Sequence, residues 1–438
     1  MIRSLLLCIS IVCLVGIHPV EAIAQQSDVA TSKPLGLILT WQQDPTTTMT
    51  IDWHTGPDEE PSWLEYKRVG SDEWNPSTVE VMDFPFSNWK IHRTELTGLE
   101  PGSEYRFRIG EHHSAVWKFR TMPDNAYEPI RFAVGGDVRH RIDWMRQTNR
   151  RAAAYEPDFI KWGGDLAYAD ARADRVYRWK EFVEVMMTTL VTADDRVIPV
   201  LAGIGNHEVK DHSWNRWEEY EQTDEKREEY APYYYQLFAF PGQPGYGVLD
   251  FSDYMSILML DTGHSNPIEG EQTEWLRNTL KDRLHIPHLF PNYHIPAYPS
   301  VRNPDDEIHV KLREEWVSLF EEFGVRVAFE SHDHAYKRTY PIRGGDFSAD
   351  GIVYIGDGAW GVYTRPIGGG DDPEFWGYHG NDPWYLKRAS SQRHFIVGTI
   401  HGPHQHFLMV NEDGAIIDEY PLTPHLDKKL NKLAEPWE

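Results

Sequence analysis

The chain changes its hydrophobic rhythm once. From residue 33 to about 122, short runs alternate apolar and polar positions between turn residues: LGLILTW, MTIDWHT, WLEYKRV, TVEVMDF, WKIHRTEL, YRFRIG and AVWKFRT. A period of two marks half-buried strands, and this many at this spacing predict an all-β sandwich. From Arg131 the runs become continuously apolar and end in polar residues: RFAVGGD, DFIKWGGD, VIPVLAGIGNH, YMSILMLD, RVAFESHD and GIVYIGD. Helical periodicity fills the gaps near 142–155, 174–191, 271–284 and 307–323, the first opened by Asp143 and the last closed by Gly324. Such alternation predicts an α/β domain of buried, largely parallel strands covered by helices. Ligands of such sheets collect at the carboxyl ends of the strands, so the polar endings mark the expected site, at one edge of the sheet.

Two stretches fit neither rhythm. Residues 209–235 are acidic and aromatic, and 364–390 are rich in Gly, Asp, Trp and Tyr; loops of this kind either shape a site or cover a surface. The opening MIRSLLLCISIVCLVGIHPVEAIAQQ sets Arg3 before an apolar run from Leu5 to Ile17, then Ala22 and Ala24 in A-x-A spacing. That is the pattern of a signal peptide over 1–24, which predicts a secreted or periplasmic protein. The apolar run is too short to span a bilayer, and no later stretch is apolar enough.

Composition narrows the chemistry. With 40% hydrophobic residues, 17 Trp and 22 Tyr, the chain can bury large cores. Its 2 cysteines, Cys8 and Cys13, both lie in the leader, which excludes a disulfide framework, thiolate-bound zinc and a cysteine nucleophile from the mature protein. A net charge of -25 argues against a general nucleic-acid or anionic-membrane binder and leaves a homodimer open. An anionic substrate would need a strongly positive local centre, which metal ions supply.

Five strand ends carry the candidate ligands: Gly136-Asp137, Gly164-Asp165 with Tyr168, Gly205-Asn206-His207-Glu208, Asn292-Tyr293-His294, and His332-Asp333-His334. A Gly-Asp pair alone is often a helix cap or turn, and a lone histidine is commonly structural. Together these types are the oxygen and imidazole donors that suit iron, zinc or manganese. His332 and His334 are two apart, so an extended backbone would aim both to one side, each toward a different metal of a pair, and turn Asp333 away. His288 is a rival to His294, because Pro291 removes a ladder donor from the intervening strand.

The runs GGD, GDLAY, GNHE, YHIPAYPS and SHDHAYKRTYP resemble the metallophosphoesterases, and within them the purple acid phosphatases. The resemblance covers nearly the whole mature chain. Leu96-Thr-Gly-Leu-Glu-Pro-Gly-Ser-Glu-Tyr105 resembles the tyrosine corner of fibronectin type III domains, and that family carries such a sandwich ahead of its catalytic domain. The implied fold is a fibronectin type III-like sandwich over 33–122, followed by a two-sheet αββα metallophosphoesterase domain over 130–425. The resemblance implies Fe(III) on Asp137, Asp165, Tyr168 and His334, and a second metal, iron, zinc or manganese, on Asp165, Asn206, His294 and His332. It also implies His207 beside the substrate phosphate, as donor or leaving-group acid. Glu208 is expected to orient a histidine.

Departures from the family pattern are informative. Arg139 stands where most metallophosphoesterases place a histidine, which leaves a vacancy for the Tyr168 phenolate. Arg139 itself, with His140 behind it, becomes a candidate phosphate contact. Ser331 replaces a common glycine. The plant members' further histidine pair is Asn303-Pro304 here, with Asp305 or His309 as substitutes, which questions an acid optimum. The expected function is hydrolysis of small phosphate monoesters by a metal-activated hydroxide. A phosphodiesterase or nucleotide pyrophosphate hydrolase with the same centre, and a secreted binding protein on a degenerate enzyme fold, are the alternatives.

Overall fold

The computed structural model describes residues 34–57, 63–110, 115–212, 221–356, 358–367 and 383–421. The expected leader over 1–24 and parts of the two irregular stretches lie outside these residues. Among the described residues, no helix is long and apolar enough to cross a membrane.

Two four-stranded antiparallel sheets form the first sandwich. One orders Gly36–Thr40, Met49–Thr55, Lys90–Leu96 and Glu80–Asp83; the other orders Asn75–Ser77, Leu64–Arg68, Glu104–Ile109 and Trp117–Arg120. Leu37, Leu39, Ile51, Trp53, Phe107 and Phe119 are buried between them, as the period of two requires. The Glu100 amide donates to the Tyr105 hydroxyl at 2.8 Å, the expected tyrosine corner.

The α/β domain stacks two mixed sheets. The first runs Val200–Ala202, Phe159–Trp162 and Ile130–Gly135 in parallel, then His394–His401, His404–Asn411 and Ile416–Tyr420 antiparallel. The second has Met255–Met259, His288–Asn292, Val327–Glu330 and Val353–Gly356 in parallel at its centre, with antiparallel strands outside them. Phe132, Phe159, Phe290, Phe329 and Phe407 fill the space between the sheets with stacked and edge-on rings. The expected helices appear as Ile142–Ala154, Val176–Thr189, Glu271–Lys281 and a segment from Glu307 to Glu322 with one π-helical turn. In Ile142–Ala154, Met145, Thr148, Asn149, Ala152 and Ala153 form the buried stripe. Asp143 in its first turn and Arg151 in its last complement the helix dipole.

Pro291 is accommodated by alternation. The Tyr293 amide donates to Phe329 O at 3.1 Å, so the vacant position two residues earlier faces the same neighbour, where Asn292↔Phe329 is the one registered pair. His288 sits at the opposite end of this strand and bonds Gly402 O at 2.8 Å, which removes it as a rival to His294.

His54, wholly buried under Phe84, has its pKa lowered from 6.5 to about 3, chiefly by desolvation. A depressed histidine pKa means that the unfolded chain binds the proton first, so its share of stability is complete above 6.5 and is lost as pH falls toward about 3. The loss approaches ~1.4 kcal/mol per pH unit in that window. Chemical unfolding of wild type and His54→Leu at successive pH values should show a shallower acid slope in the variant; parallel slopes would refute the assignment.

Candidate metal centre

Each expected ligand lies just past a strand, but the strands belong to two sheets and not to one edge of a single sheet. Asp137, Asp165 and Asn206 follow Ile130–Gly135, Phe159–Trp162 and Val200–Ala202 of the first; His294 and His332 follow His288–Asn292 and Val327–Glu330 of the second. The site therefore forms where the carboxyl ends of two stacked sheets meet. All seven expected ligands converge there.

Their donor atoms form two clusters that share Asp165: Asp165, His294 and His332, and Asp137, Asp165 and His334, each within 4.8 Å. His294 Nε2 lies 3.3 Å from Asp165 Oδ1, 3.2 Å from Asn206 Oδ1 and 3.0 Å from His332 Nδ1. In the other cluster, Asp137 Oδ1 is 2.8 Å from His334 Nε2, and the Tyr168 hydroxyl is 3.1 Å from Asp137 Oδ1 and 3.2 Å from His334 Nε2. Carbonyls fix two of the tautomers, since a carbonyl only accepts. His294 Nδ1 donates to Gly163 O at 2.9 Å and His334 Nδ1 to Tyr363 O at 3.1 Å, so each turns Nε2 inward, the nitrogen that a cation would take in place of a proton.

Acceptor thus faces acceptor, and the electrostatics register a demand for positive charge. Burial opposes a charge on His294, but Asp165 and then Asp137 outweigh it and raise its pKa to about 9. Burial would raise the Asp165 carboxyl, yet His294 and His207 hold it well below the usual range. Burial, then the charges of Asp137 and Asp165, push the Tyr168 phenol far above its ordinary value. This donor set suits two cations with Asp165 between them.

The backbone carries strain at these positions. Asp137, Asp165, Tyr168, His332 and His334 have φ of 57°, 54°, 56°, 79° and 57°, a left-handed region that L-residues avoid at a cost of ~1 kcal/mol or more each. The His332-Asp333-His334 backbone is accordingly not extended, contrary to the spacing argument. Asp333 does turn away: Oδ2 accepts from the Ser300 and Val301 amides at 2.8 and 2.7 Å, and Oδ1 pairs with Arg302.

Glycines let the loops touch. A Cβ at Gly136 or Gly163 would collide with the Ser331 hydroxyl, one at Gly205 with Asp165, and one at Gly358 with Asp137 Oδ2. Glu208 does not orient a histidine; its carboxylate accepts from the amides of Asp165, Leu166 and Gly205, each at 2.8 Å, and so ties the Asp165 and Asn206 loops together. Burial and then Asp165 push its pKa to about 7.

His207 stands over Tyr168, with ring centroids 4.2 Å apart, and its Nε2 is 3.9 Å from Asp165 Oδ2. Its Nδ1 is 2.5 Å from Asp170 Oδ1. Burial works against protonation of His207, but Asp165 and Asp170 overcome it and raise its pKa. Asp170 was missed by the sequence reading, although it follows Tyr168 by two residues in GDLAYAD. Arg139 is buried, and its guanidinium pairs with Glu181 on Val176–Thr189. His309 is buried with Nδ1 against Pro296 O at 2.6 Å, and Asp305 is exposed, so neither extends the centre.

The purple acid phosphatase N-terminal domain model matches residues 34–121, and the calcineurin-like phosphoesterase model matches 130–336. Purple acid phosphatase 21 of Arabidopsis thaliana is 28% identical over 63% of this chain and 60% of its own length. Purple acid phosphatase 18 of the same plant is 27% identical over 71% and 68%. Acid phosphatase type 7 of Mus musculus is 24% identical over 75% and 76%. The chain thus spans about 60% of the length of the first of these relatives. In fold it is similar to a purple acid phosphatase from yellow lupin (Lupinus luteus) seeds, with a TM-score of 0.71 at 17% identity over 88% of this chain and 73% of that one. PhoD gives 0.64 at 14% identity over 87% of each chain. The chain belongs to the calcineurin-like phosphoesterases. Within them it is a purple acid phosphatase-like metallophosphoesterase, a family with a dinuclear metal centre.

Gly358→Ala would drive a Cβ onto Asp137 and is expected to weaken metal retention about tenfold or more, as disturbing a ligand's support does. Gly344→Ala, at a similar φ of 61° but in open space, controls for backbone strain. Equal metal content after dialysis of the two variants would sink this account.

Proposed function

We propose that this chain hydrolyses small phosphate monoesters at a dinuclear centre bridged by Asp165. The observation that carries the reading is the pair of acceptor clusters sharing that carboxylate. Asp137, Asp165, Tyr168 and His334 would hold Fe(III), the metal that the family resemblance implies and that a phenolate beside two carboxylates suits. Asp165, Asn206, His294 and His332 would hold iron, zinc or manganese. Bound there, the two cations supply charge that draws in a phosphoryl group and makes water acidic enough to attack it.

The chain's own residues supply the remainder. His207 holds a proton at Nε2, on the centre's side, while Asp170 anchors Nδ1 and keeps the ring in place, so it can bind a phosphoryl oxygen or protonate the departing alkoxide. Arg139 is kept as a phosphate contact of lesser weight, since reaching one requires it to leave Glu181. The leader pattern over 1–24 supports export.

Metal analysis of the purified protein should return two equivalents with at least one iron, and a visible absorption band that Tyr168→Phe abolishes. Two equivalents of zinc in a colourless protein would retain the hydrolase and discard the iron assignment. Turnover of a chromogenic diester in preference to the monoester would replace the monoesterase reading with the diesterase one. Asp170→Asn should lower kcat about tenfold or more with metal content unchanged; an unaltered kcat would remove the Asp170–His207 pair from the reaction.

A further inference from the structure

Beside the centre lies a row of rings that the metal chemistry does not use. The His140 ring meets Tyr168 at 5.3 Å, the Tyr363 ring meets His140 at 5.3 Å, and Trp144 meets Tyr363 at 4.8 Å, all steeply tilted. The row starts at an expected ligand and reaches the surface at Tyr363, which is 52% exposed, with the half-buried Trp144 beyond it. One exposed aromatic needs no explanation, but a connected series leading out of a catalytic cage does.

The position of Tyr363 is fixed from both sides. Its carbonyl accepts from His334 Nδ1 at 3.1 Å, and two residues on, the Arg365 amide donates to His334 O at 3.0 Å while Arg365 Nη1 donates to His332 O at 2.8 Å. Arg141 Nη1 donates to the Tyr363 hydroxyl at 3.0 Å, which sets the ring's orientation. The segment 363–365 is thereby fastened to the two histidines, and it presents the exposed Tyr363 ring with the Arg365 guanidinium tucked behind it against His332 O. Tyr363 meets His140 and Trp144 at steep angles and still leaves about half of its surface open, room for a flat partner.

We propose that Tyr363, backed by His140 and Trp144, is a leaving-group subsite that stacks the base of a nucleoside phosphate. The inference rests on the phosphoesterase reading above and narrows its substrate class. A phosphate held at the cage would pass its alcohol over this rim, where a planar base gains more from stacking on an aromatic ring than a bare sugar or an aliphatic alcohol does. The arginines Arg141 and Arg365 favour an anionic ligand at this point of a chain whose net charge is -25.

Adenosine 5′-monophosphate and ribose 5-phosphate differ only in the base, so their kcat/KM ratio reads the subsite. Wild type should favour the nucleotide about fivefold or more, the lower end for one base on one aromatic ring. Tyr363→Ala should bring the ratio near unity, mainly through KM, and Tyr363→Phe should keep it. Calorimetric binding of a non-hydrolysable phosphonate analogue of adenosine monophosphate should weaken in parallel in Tyr363→Ala. Hydrolysis of both esters without preference, or a preference that survives Tyr363→Ala, overturns the subsite and leaves the hydrolase standing. Hydrolysis of neither, with analogue binding that still depends on Tyr363, overturns the hydrolase and keeps the subsite.

Discussion

Acceptors face acceptors where the two sheets meet, and much of the molecule is arranged to sustain that unfavourable proximity. Two carboxylates, an amide oxygen, a phenol and three imidazoles converge with few donors among them, and two histidines have their outer nitrogens committed to carbonyls. Like electron pairs at such distances repel in a dry site, so only intervening positive charge makes the arrangement favourable. Asp165 is central because it belongs to both clusters and because its neighbours hold it ionised.

The scaffold resists relaxation of this arrangement by fixing backbone as well as side chains. Glu208 gathers three amides from two loops, Asp333 gathers amides from the Ser300–Arg302 turn, and the 358–361 turn bonds back to Gly136 and Asp137. Those bonds hold five ligands in a backbone region they would otherwise leave. Behind them the helix Ile142–Ala154 reaches the same turn: Thr148 donates to Trp360 O, and Trp360 Nε1 donates to Asn149. The buried stripe of an ordinary amphipathic helix thus ends in hydrogen bonds that support the site.

Most of this was legible from rhythm and strand endings. The change from alternating to continuous apolar runs gave the two-part architecture, and the polar residue after each run gave the side chains that converge at the site, because both depend on local pattern. The assignment to one sheet edge failed because pattern tells which residues end strands but not which strands pair; three endings proved to lie in one sheet and two in the other. The extended His332–His334 segment failed because spacing carries no φ, and only tertiary contacts hold those histidines left-handed. Glu208 looked like a histidine partner by proximity in sequence, yet three buried amides of two neighbouring loops competed for it and won. Asp170 was hidden by a motif read only as far as Tyr168.

The charge pattern reconciles an acidic chain with an anionic substrate. Carboxylates in excess over the whole molecule repel phosphate at long range, and that repulsion is screened over about 8–10 Å at physiological salt. Within that distance the local sign decides. Arg302 and Arg365 both donate to His332 O, so two guanidinium groups meet behind one ligand and, with burial, keep its imidazole neutral and its lone pair available. One pair of arginines therefore acts on the cage from behind, and the positive charge that an anionic ester would meet is set inside the cage and not by the surface of the chain.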